Sequence, residues 1–317
     1  MQKSDLWLIG CGNNAIEHFK VLNELDISTK VIGRSKNSGD FFYSKTSIKP
    51  LLDGLYNNLI SYEPPHKAIV SVSIDQLFEC TKLLIKKGCK KILIEKPGAL
   101  KIGELVQLKQ LKDKYDANLW IAYNRRFYQS VRLLKKLSED DGGIKSLIFE
   151  FTEFSSSFEN SKLSKEIIEK TLLCNSSHVI DLAFYLIGEP KKNKWSYFNS
   201  GHLLNHKSSS RFHGSGISEN NIPFSYYADW ECPGRWGVEV MTKKNRFILR
   251  PLEKLQVISK GTLDSKFVDF SSKVENNFKP GFYMQCKEFL SEDHINLKTI
   301  EEQINSFNIY NLMAAYS

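Results

Sequence analysis

Short apolar runs and amphipathic segments alternate through the first 122 residues, and this alternation limits the possible fold more than any other feature. Runs such as "DLWLIG", "KAIVSVS" and "KKILIE" have the length and aliphatic content of buried strands. Segments between them, such as "IDQLFECTKLLIKKG", place apolar residues at helical spacing. Strands that alternate with helices predict a parallel, doubly wound sheet that binds ligands at the carboxyl ends of its strands.

A glycine-containing turn follows the first apolar run. In "GCGNNA", Gly10 and Gly12 match the first two positions of the dinucleotide-binding fingerprint G-x-G-x-x-G/A, and Ala15 fills the third. Gly10 permits a tight turn, and Gly12 lets a pyrophosphate approach the backbone at the start of the next helix. Two glycines in a turn are common, so the motif gains its weight from the strands around it.

The second strand ends in "STKVIGRS", about 20 residues after the glycines, where a dinucleotide fold places the residue that contacts the adenosine ribose. NAD-specific sites usually have Asp or Glu there, whereas this chain has Gly33, Arg34 and Ser35. An arginine and a hydroxyl suit a 2′-phosphate because they form charge-assisted hydrogen bonds with it. We therefore predict NADP as the preferred cofactor and NAD as the other candidate; alternatively, Arg34 is a solvated loop cation.

The 317 residues exceed one ordinary domain, and we place two domains at residues 1–122 and 123–317. The second contains short alternating or aromatic-rich runs, such as "PFSYYADWE" and "WGVEVMTKK", separated by turn residues. The predicted fold class is α/β. It has an N-terminal Rossmann domain with a doubly wound parallel sheet and a C-terminal α+β domain with a largely antiparallel open sheet.

Charge and cysteine content narrow the class of protein. The net charge is +8, but the lysines are dispersed along helical segments without interleaved aromatics, so we expect no nucleic-acid partner. No apolar run approaches the roughly 20 residues of a membrane helix and the start lacks a signal-peptide pattern, so we expect a cytoplasmic protein with no membrane partner. The six cysteines include no CxxC pair, and we predict no metal site.

The run "ILIEKPGAL" ends an apolar strand abruptly in Glu95, Lys96 and Pro97. Proline cannot continue a strand ladder and it stiffens the turn, with a cis bond as one possibility. Lys96 would then project from a fixed backbone at the carboxyl end of a strand, where a nicotinamide would lie. The alternative is an ordinary turn lysine.

The segment "CNSSHVIDLAFYLIGEP" has the pattern of a helix, with Asn175 or the serines after it as the N-cap and "GEP" as its end. His178 falls in the first turn, and Asp181 shares its face and could orient the imidazole. A histidine near a helix start is more often structural than catalytic, so the residues alone leave both interpretations open.

Four motifs occur in the order "GCGNNA", "EKPGAL", "YNRRFYQSVRLLKKL" and "SSHVIDLAFYLIGEP". Together they resemble the Gfo/Idh/MocA oxidoreductases, the group of glucose-fructose oxidoreductase and inositol dehydrogenase, and "GFYMQCKEFL" resembles the family's late helix. The resemblance implies a Rossmann domain that binds NAD or NADP. It also implies a second domain whose open sheet holds a sugar, polyol or derivative and often mediates oligomerisation, here as a homodimer or homotetramer.

The resemblance also implies roles for single residues. The family's EKP lysine corresponds to Lys96, which would bind a substrate hydroxyl and help orient the nicotinamide, and its acid/base histidine corresponds to His178. The family usually has Asp or Asn four residues before this histidine, where this chain has Cys174. Because a thiol lacks the charge and the two-way hydrogen bonding of those groups, either Asn175 substitutes or proton transfer rests on His178 and Lys96.

The predicted catalytic residues are Lys96 and His178. The predicted cofactor-binding residues are Gly10, Gly12, Asn13, Asn14, Arg34, Ser35, Ser73, Glu95 and Lys96. The predicted substrate-binding residues are Asn124, Arg125, Asn175, Asp181 and Tyr283, and Arg126, Tyr128 and Trp230 are further candidates. Arginines in this set would meet a carboxylate or phosphate and aromatics would stack on a sugar ring; for each, ordinary packing is the alternative.

These features predict an NAD(P)-dependent dehydrogenase or reductase that acts on CH–OH groups of a sugar, polyol or sugar derivative, including acidic and nucleotide-linked sugars. Cys174 motivates an alternative, an NAD(P)-binding sensor or regulatory protein of the same fold with reduced catalysis. A third hypothesis keeps the cofactor bound for internal oxidation and re-reduction.

Overall fold

The computed structural model describes residues 6–154, 164–202, 209–270, 272 and 274–316. The chain forms two compact units. The first comprises Met1–Tyr123 and Val274–Asn305, and the second comprises Asn124–Lys273 and Ser306–Ser317. Residues 274–305, which fall within the predicted second domain, belong to the first unit.

The first unit contains a six-stranded sheet. Its strands are β1 (Leu6–Ile9), β2 (Thr29–Ile32), β3 (Lys67–Val70), β4 (Lys91–Glu95), β5 (Asn118–Ala122) and β14 (Lys298–Thr299). They lie in the order β14-β5-β4-β3-β1-β2, with β1 to β5 parallel and β14 antiparallel to β5. The predicted parallel, doubly wound sheet is therefore confirmed.

Helices connect these strands, among them the helix that the apolar spacing in "IDQLFECTKLLIKKG" predicted. They are α1 (Asn13–Glu24), α2 (Lys36–Thr46), α3 (Gly54–Ser61), α4 (Leu77–Lys86) and α5 (Ile102–Tyr115), with α9 (Phe282–Leu290) and the start of α10 (Ile300–Ala314) contributed later in the chain. In α1, Ala15, Phe19 and Leu22 are buried at helical spacing. All four residues of β1 are buried, as expected for a central parallel strand of a doubly wound sheet.

The second unit contains an eight-stranded sheet. Its strands are β6 (Ser146–Glu150), β7 (Pro190–Ser200), β8 (Arg211–Ser218), β9 (Pro223–Asp229), β10 (Gly237–Met241), β11 (Asn245–Leu249), β12 (Gln256–Ser259) and β13 (Lys266–Phe267). The order is β13-β12-β11-β10-β6-β9-β8-β7, and among the described pairings only β6 with β9 is parallel. This sheet and the helices α6 (Gln129–Asp140), α7 (Lys165–Glu169) and α8 (Ser177–Ile187) confirm the predicted α+β class.

The two faces of this sheet differ in environment. Phe184 of α8 packs against Phe149 of β6 and Phe224 of β9, with ring centroids 5.6 Å and 5.4 Å away. On the other face, Phe198 of β7 is 65% exposed and Tyr227 of β9 is 44% exposed. His213 of β8 lies opposite both residues in the strand register, so the three side chains share this face. One face is therefore core and the other carries exposed aromatic side chains.

Across the described residues, no helix combines the length and the apolar content needed to cross a membrane. All six cysteines are free thiols.

Candidate active site

A cleft of about 870 Å³ lies in the first unit at the carboxyl ends of β1 to β4. The strand order reverses there between β1 and β3, and doubly wound sheets bind ligands at such switch points. The cleft is lined by all of the predicted cofactor-binding residues: Gly10, Gly12, Asn13, Asn14, Arg34, Ser35, Ser73, Glu95 and Lys96. The predicted residues therefore line one continuous cavity, which has further lining residues that were not predicted, such as Gln76, Lys82 and Lys86.

The two glycines of the turn, Gly10 and Gly12, are explained by different structural features. Gly10 has φ +122°, and a Cβ placed on it would lie 2.0 Å from the carbonyl oxygen of Ser71, so no side chain fits. A Cβ placed on Gly12 would meet no described atom within 4 Å. Packing within the protein therefore demands glycine at Gly10, whereas at Gly12 a ligand's need to approach the backbone is the better reason.

Helix α1 begins directly at the cleft. Gly12 is its N-cap residue, and Asn13 and Asn14 form the start of its first turn. Asn14 Oδ1 accepts a hydrogen bond from Lys279 Nζ at 2.8 Å. The first N–H groups of a helix have no partners within the helix, so this end of the cleft suits an anion.

Helix α2 also begins at the cleft, directly after Arg34. Its N-cap residue Ser35 accepts a hydrogen bond from the backbone N–H of Ser38 at 3.4 Å, and the two hydroxyl oxygens are 3.0 Å apart. Ser38 lines the cleft and was not predicted, although its position three residues after an N-cap serine was a usable signal. Nearby, a hydrogen bond from Ser73 is the main cause that lowers the pKa of Asp75, and the charge of Arg34 adds to it.

Lys96 lies in a tight turn at the end of β4. The Lys96–Pro97 peptide is cis. The turn is closed by a hydrogen bond from the Gly98 N–H to the Glu95 carbonyl at 3.0 Å, and Gln303 Nε2 donates to the Pro97 carbonyl at 2.9 Å. The backbone that carries Lys96 is therefore fixed on both sides, as the proline predicted.

Glu95 is buried beside His18, which is fully buried on α1. His18 Nε2 lies 3.1 Å from Glu95 Oε1, and its Nδ1 lies 3.4 Å from Cys286 Sγ. Burial alone would lower the pKa of His18, but its contacts with Cys286 and Glu95 outweigh it and raise this pKa to about 9. Burial alone would raise the pKa of Glu95, but the hydrogen bond and charge of His18, with Lys96 and Lys279, lower it. The raised pKa of His18 and the lowered pKa of Glu95 favour an imidazolium–carboxylate pair at the residue next to Lys96.

This pair makes a prediction about stability and pH. The pKa of His18 is about 9 in the folded protein, above its ordinary value of 6.5. The contribution of His18 to the free energy of unfolding is therefore complete below pH 6.5 and is lost as pH rises through 9. The contribution of Glu95 to the free energy of unfolding has the opposite pH dependence. It is present above the ordinary pKa of a glutamate and is lost as pH falls through the lowered pKa of Glu95 in the folded protein.

We expect the wild-type free energy of unfolding to fall by about 2–3 kcal/mol more than that of His18→Gln between pH 6.5 and 9.5. Glutamine is the matched replacement because its amide donates to Glu95 without titrating. Urea unfolding of both proteins across this pH range measures the difference. Parallel pH curves for the two proteins would contradict a charged His18.

In the second unit, His178 lies in the first turn of α8 and is 5% exposed. Arg125 Nη1 is 2.9 Å from His178 Nε2 and donates to Asn124 Oδ1 at 2.6 Å. A guanidinium can only donate hydrogen bonds, so His178 must accept with the lone pair of Nε2. The ring of Trp236 lies 6.0 Å from the imidazole and 5.4 Å from Arg125 Cζ. The structure thus brings together three predicted residues, Asn124, Arg125 and His178.

A π-helical turn, Leu172–Ser176, precedes α8 and changes the predicted cap. Asn175 Nδ2 and Ser176 Oγ do not cap the helix but donate to Glu153, at 3.0 Å and 2.6 Å. Arg235 Nη1 and Trp236 Nε1 also donate to this carboxylate, each at 3.2 Å. Burial raises the pKa of Glu153 despite these donors. No sequence pattern pointed to Glu153, because its partners come from two distant segments.

Asp181 is 2% exposed, and both of its carboxylate oxygens accept hydrogen bonds from Arg126, at 2.8 Å each. Arg126 also packs over the ring of Tyr185 at 4.7 Å. The shared helix face of His178 and Asp181 was predicted correctly, but the carboxylate is engaged by an arginine. Its predicted role in substrate binding stays a prediction, as does that of Asn175.

Two of the predicted aromatic residues, Tyr283 and Trp230, contact other residues within their own units. Tyr283 belongs to α9 of the first unit, where it stacks on Phe278 with ring centroids 5.5 Å apart. Trp230 is 1% exposed in the second unit, and its Nε1 donates to the Phe151 carbonyl at 3.2 Å; its role in a sugar pocket stays a prediction. Within the described ranges, no group of three or more His, Cys, Asp or Glu side chains could hold a metal ion.

Comparisons with known proteins find similarity in structure. No family model and no curated protein matches the sequence. A levoglucosan dehydrogenase in complex with NADH and L-sorbose is 16% identical; the match covers 99% of this chain and 96% of that chain with a TM-score of 0.78. A UDP-N-acetylglucosamine 3-dehydrogenase from Acidithiobacillus ferrooxidans is 12% identical, with 99% and 98% covered and a TM-score of 0.73. A dehydrogenase from Clostridium difficile is 19% identical, with 97% of each chain covered and a TM-score of 0.75.

At these identities the likeness concerns the fold, and it extends over nearly the whole chain. The predicted homodimer or homotetramer stays a prediction. This chain has the fold of these solved dehydrogenases, the fold that the resemblance of its motifs implied.

Proposed function

We propose that this protein is an NAD(P)-dependent oxidoreductase that acts on a CH–OH group, or the corresponding carbonyl, of a sugar, polyol or sugar derivative. The observation that supports this most is the cleft at the carboxyl ends of β1 to β4, which Gly10, Gly12 and Lys96 line together. The solved structures add support, since one contains NADH and L-sorbose and another is named for its action on UDP-N-acetylglucosamine.

The residues of the cleft fit a dinucleotide. Its pyrophosphate would lie at the N-terminus of α1, where the open backbone at Gly12 gives room. When bound, the nicotinamide supplies or accepts the hydride. The cations that line the cleft are Arg34, Lys82, Lys86 and Lys96. Two acids also line the cleft, and each is hydrogen-bonded to a basic side chain: Glu79 to Lys82 and Glu95 to His18. The excess of positive over negative side chains in the lining therefore favours a ligand with phosphate groups.

We assign the preference for NADP to the start of α2. Arg34, Ser35 and Ser38 line the cleft there, and the helix places its first N–H groups beside them. A 2′-phosphate would receive charge-assisted hydrogen bonds from Arg34, and this loop has no carboxylate to repel it.

We expect Arg34→Ala to weaken NADPH binding by about 10–150-fold, because a hydrogen bond to a charged group contributes about 1.5–3 kcal/mol. NADH binding should change by less than about threefold, since NADH lacks the 2′-phosphate. Fluorescence titration of both cofactors measures the two affinities, and Lys86→Ala is the matched control for loss of one cleft cation. Equal losses for NADPH and NADH would contradict the assignment.

Lys96 and His178 are assigned different roles in the proposed reaction. The Lys96 ammonium would hydrogen-bond the reacting substrate oxygen and stabilise the negative charge that develops on it. His178 would exchange the hydroxyl proton at Nε2, the nitrogen that faces Arg125. An imidazole titrates near neutral pH, so it can take the proton in oxidation and return it in reduction.

The experiment that tests the function measures NADPH consumption and NADP reduction against a panel of sugars, keto-sugars, polyols and nucleotide sugars. Turnover that falls in both Lys96→Ala and His178→Ala, with cofactor affinity retained in His178→Ala, would support the proposal. Tight NADPH binding without turnover on any member of the panel would instead favour a cofactor-binding sensor.

A further inference from the structure

Two consecutive arginines, Arg125 and Arg126, lie at the start of the second unit, but in the described part of the chain only one of them is paired with an acidic side chain. Arg126 forms two hydrogen bonds with the carboxylate of Asp181, and the two side chains are 8% and 1% exposed. Among the described residues, the hydrogen bonds of Arg125 go to two neutral groups, the amide oxygen of Asn124 and the imidazole of His178. One arginine is therefore neutralised by an acid and the other is not.

Arg125 is also partly withdrawn from water. Its guanidinium lies 5.4 Å from the ring of Trp236 and 5.8 Å from the ring of Tyr128, and its Nε is buried without a hydrogen-bond partner among the described residues. A guanidinium cannot give up its proton at physiological pH, so it cannot reduce the cost of burial by becoming neutral. An anionic group from outside the protein would supply the missing charge and an acceptor for Nε.

The Arg125 guanidinium is hydrogen-bonded to Nε2 of His178, the atom that His178 needs for proton exchange. Arg125 Nη1 donates to His178 Nε2 at 2.9 Å, so the lone pair of this nitrogen already accepts a hydrogen bond. A base whose lone pair is engaged by a permanent cation takes up a proton less readily. An oxyanion that draws the N–H groups of Arg125 toward itself would free the lone pair.

We propose that Arg125 binds an anionic oxygen group of the substrate, a carboxylate or a phosphate, and that this binding releases His178 Nε2 for proton exchange. The release rests on the proposed function of His178, whereas anion binding by Arg125 does not. Sugars that carry such a group are then the preferred substrates, and neutral sugars lack the group that frees the base.

The kinetic test compares glucose, glucuronate, glucose 6-phosphate and UDP-glucose as substrates of the wild type and Arg125→Gln. We expect Arg125→Gln to lower kcat/KM for the preferred anionic sugar by about 10–100-fold more than it changes kcat/KM for glucose. Loss with glucuronate indicates a carboxylate, and loss with the phosphorylated sugars indicates a phosphate. Arg246→Gln, which removes an exposed cation paired with Glu239, is the control for net charge. Equal loss for glucose and all anionic sugars in Arg125→Gln would overturn the proposal.

A binding test separates this inference from the proposed function. Glucuronate and glucose 6-phosphate are titrated into the protein while the imidazole ¹⁵N resonances of His178 are followed by NMR. We expect one of these anions to shift the Nε2 resonance in the wild type and Arg246→Gln but not in Arg125→Gln. If this shift occurs but no sugar is turned over, the proposed function fails and anion binding by Arg125 stands. If neither anion shifts the resonance, the inference is overturned even when turnover is found.

Discussion

Asp181→Ala is expected to lower the free energy of unfolding by about 3–5 kcal/mol, because it leaves the buried guanidinium of Arg126 without its carboxylate. Both carboxylate oxygens of Asp181 are bonded to Arg126 at 2.8 Å, and the side chain is 1% exposed, so water cannot replace the lost partner without local opening. Urea unfolding followed by tryptophan fluorescence measures the change.

The matched control is Asp113→Ala, which breaks the exposed pair with Lys109 on α5, a contact of 2.7 Å. Exposed pairs contribute little because solvent screens them, so this variant should stay close to the wild type. Replacing both partners, in Arg126→Met with Asp181→Leu, should recover much of the stability because no charge is left buried. A loss below about 1 kcal/mol in Asp181→Ala would mean that Arg126 finds another partner.

The fold could be predicted because its signals are local. Apolar runs of strand length, helices with apolar faces and a glycine turn follow one another within a few residues, and each reports its own structure. Gly10 is a clear case, since its positive φ and its close approach to Ser71 both follow from the turn that the motif predicts. The same holds for Lys96, which lies where an apolar strand had to stop.

The partners of polar side chains could not be predicted, because they depend on contacts between distant segments. Asp181 was expected to orient His178 or bind substrate, but it bonds to Arg126, which lies 55 positions earlier. Asn175 was expected as a cap or a substrate ligand, but its amide binds the buried Glu153. In both cases an acidic side chain and its hydrogen-bond donor come from separate segments of the second unit, and their spacing along the chain does not predict the contact.

His18 is an intermediate case. It lies between Ala15 and Leu22 on the apolar face of α1, and a histidine in such a stripe must find a buried partner. The sequence therefore carried a signal that was not used, although the identity of the partner, Glu95, required the structure.

Lys96→Met is expected to lower kcat for the substrate that the panel identifies by about 10²–10³-fold. Methionine keeps an unbranched chain of similar length but cannot donate a hydrogen bond or carry charge, so the reacting oxygen would lose its electrostatic partner. NADPH affinity should fall by less than about tenfold, because Lys96 is one of several cations that line the cleft. Stopped-flow absorbance of NADPH separates the two quantities.

Two further variants decide whether the lysine itself or only the charge matters. Lys96→Arg restores the positive charge but places a planar fork where a compact ammonium stood, so most of the lost rate should not return. Lys82→Met removes a different cation from the same cleft, one that bonds to Glu79 at 2.9 Å, and should leave kcat within about threefold of the wild type. Full recovery in Lys96→Arg, or equal losses in Lys96→Met and Lys82→Met, would reduce Lys96 to one contributor to the charge of the cleft. Loss confined to Lys96→Met would instead place the ammonium at the reacting oxygen, because hydrogen-bond stabilisation of a developing charge depends on the donor's position far more than on the net charge around it.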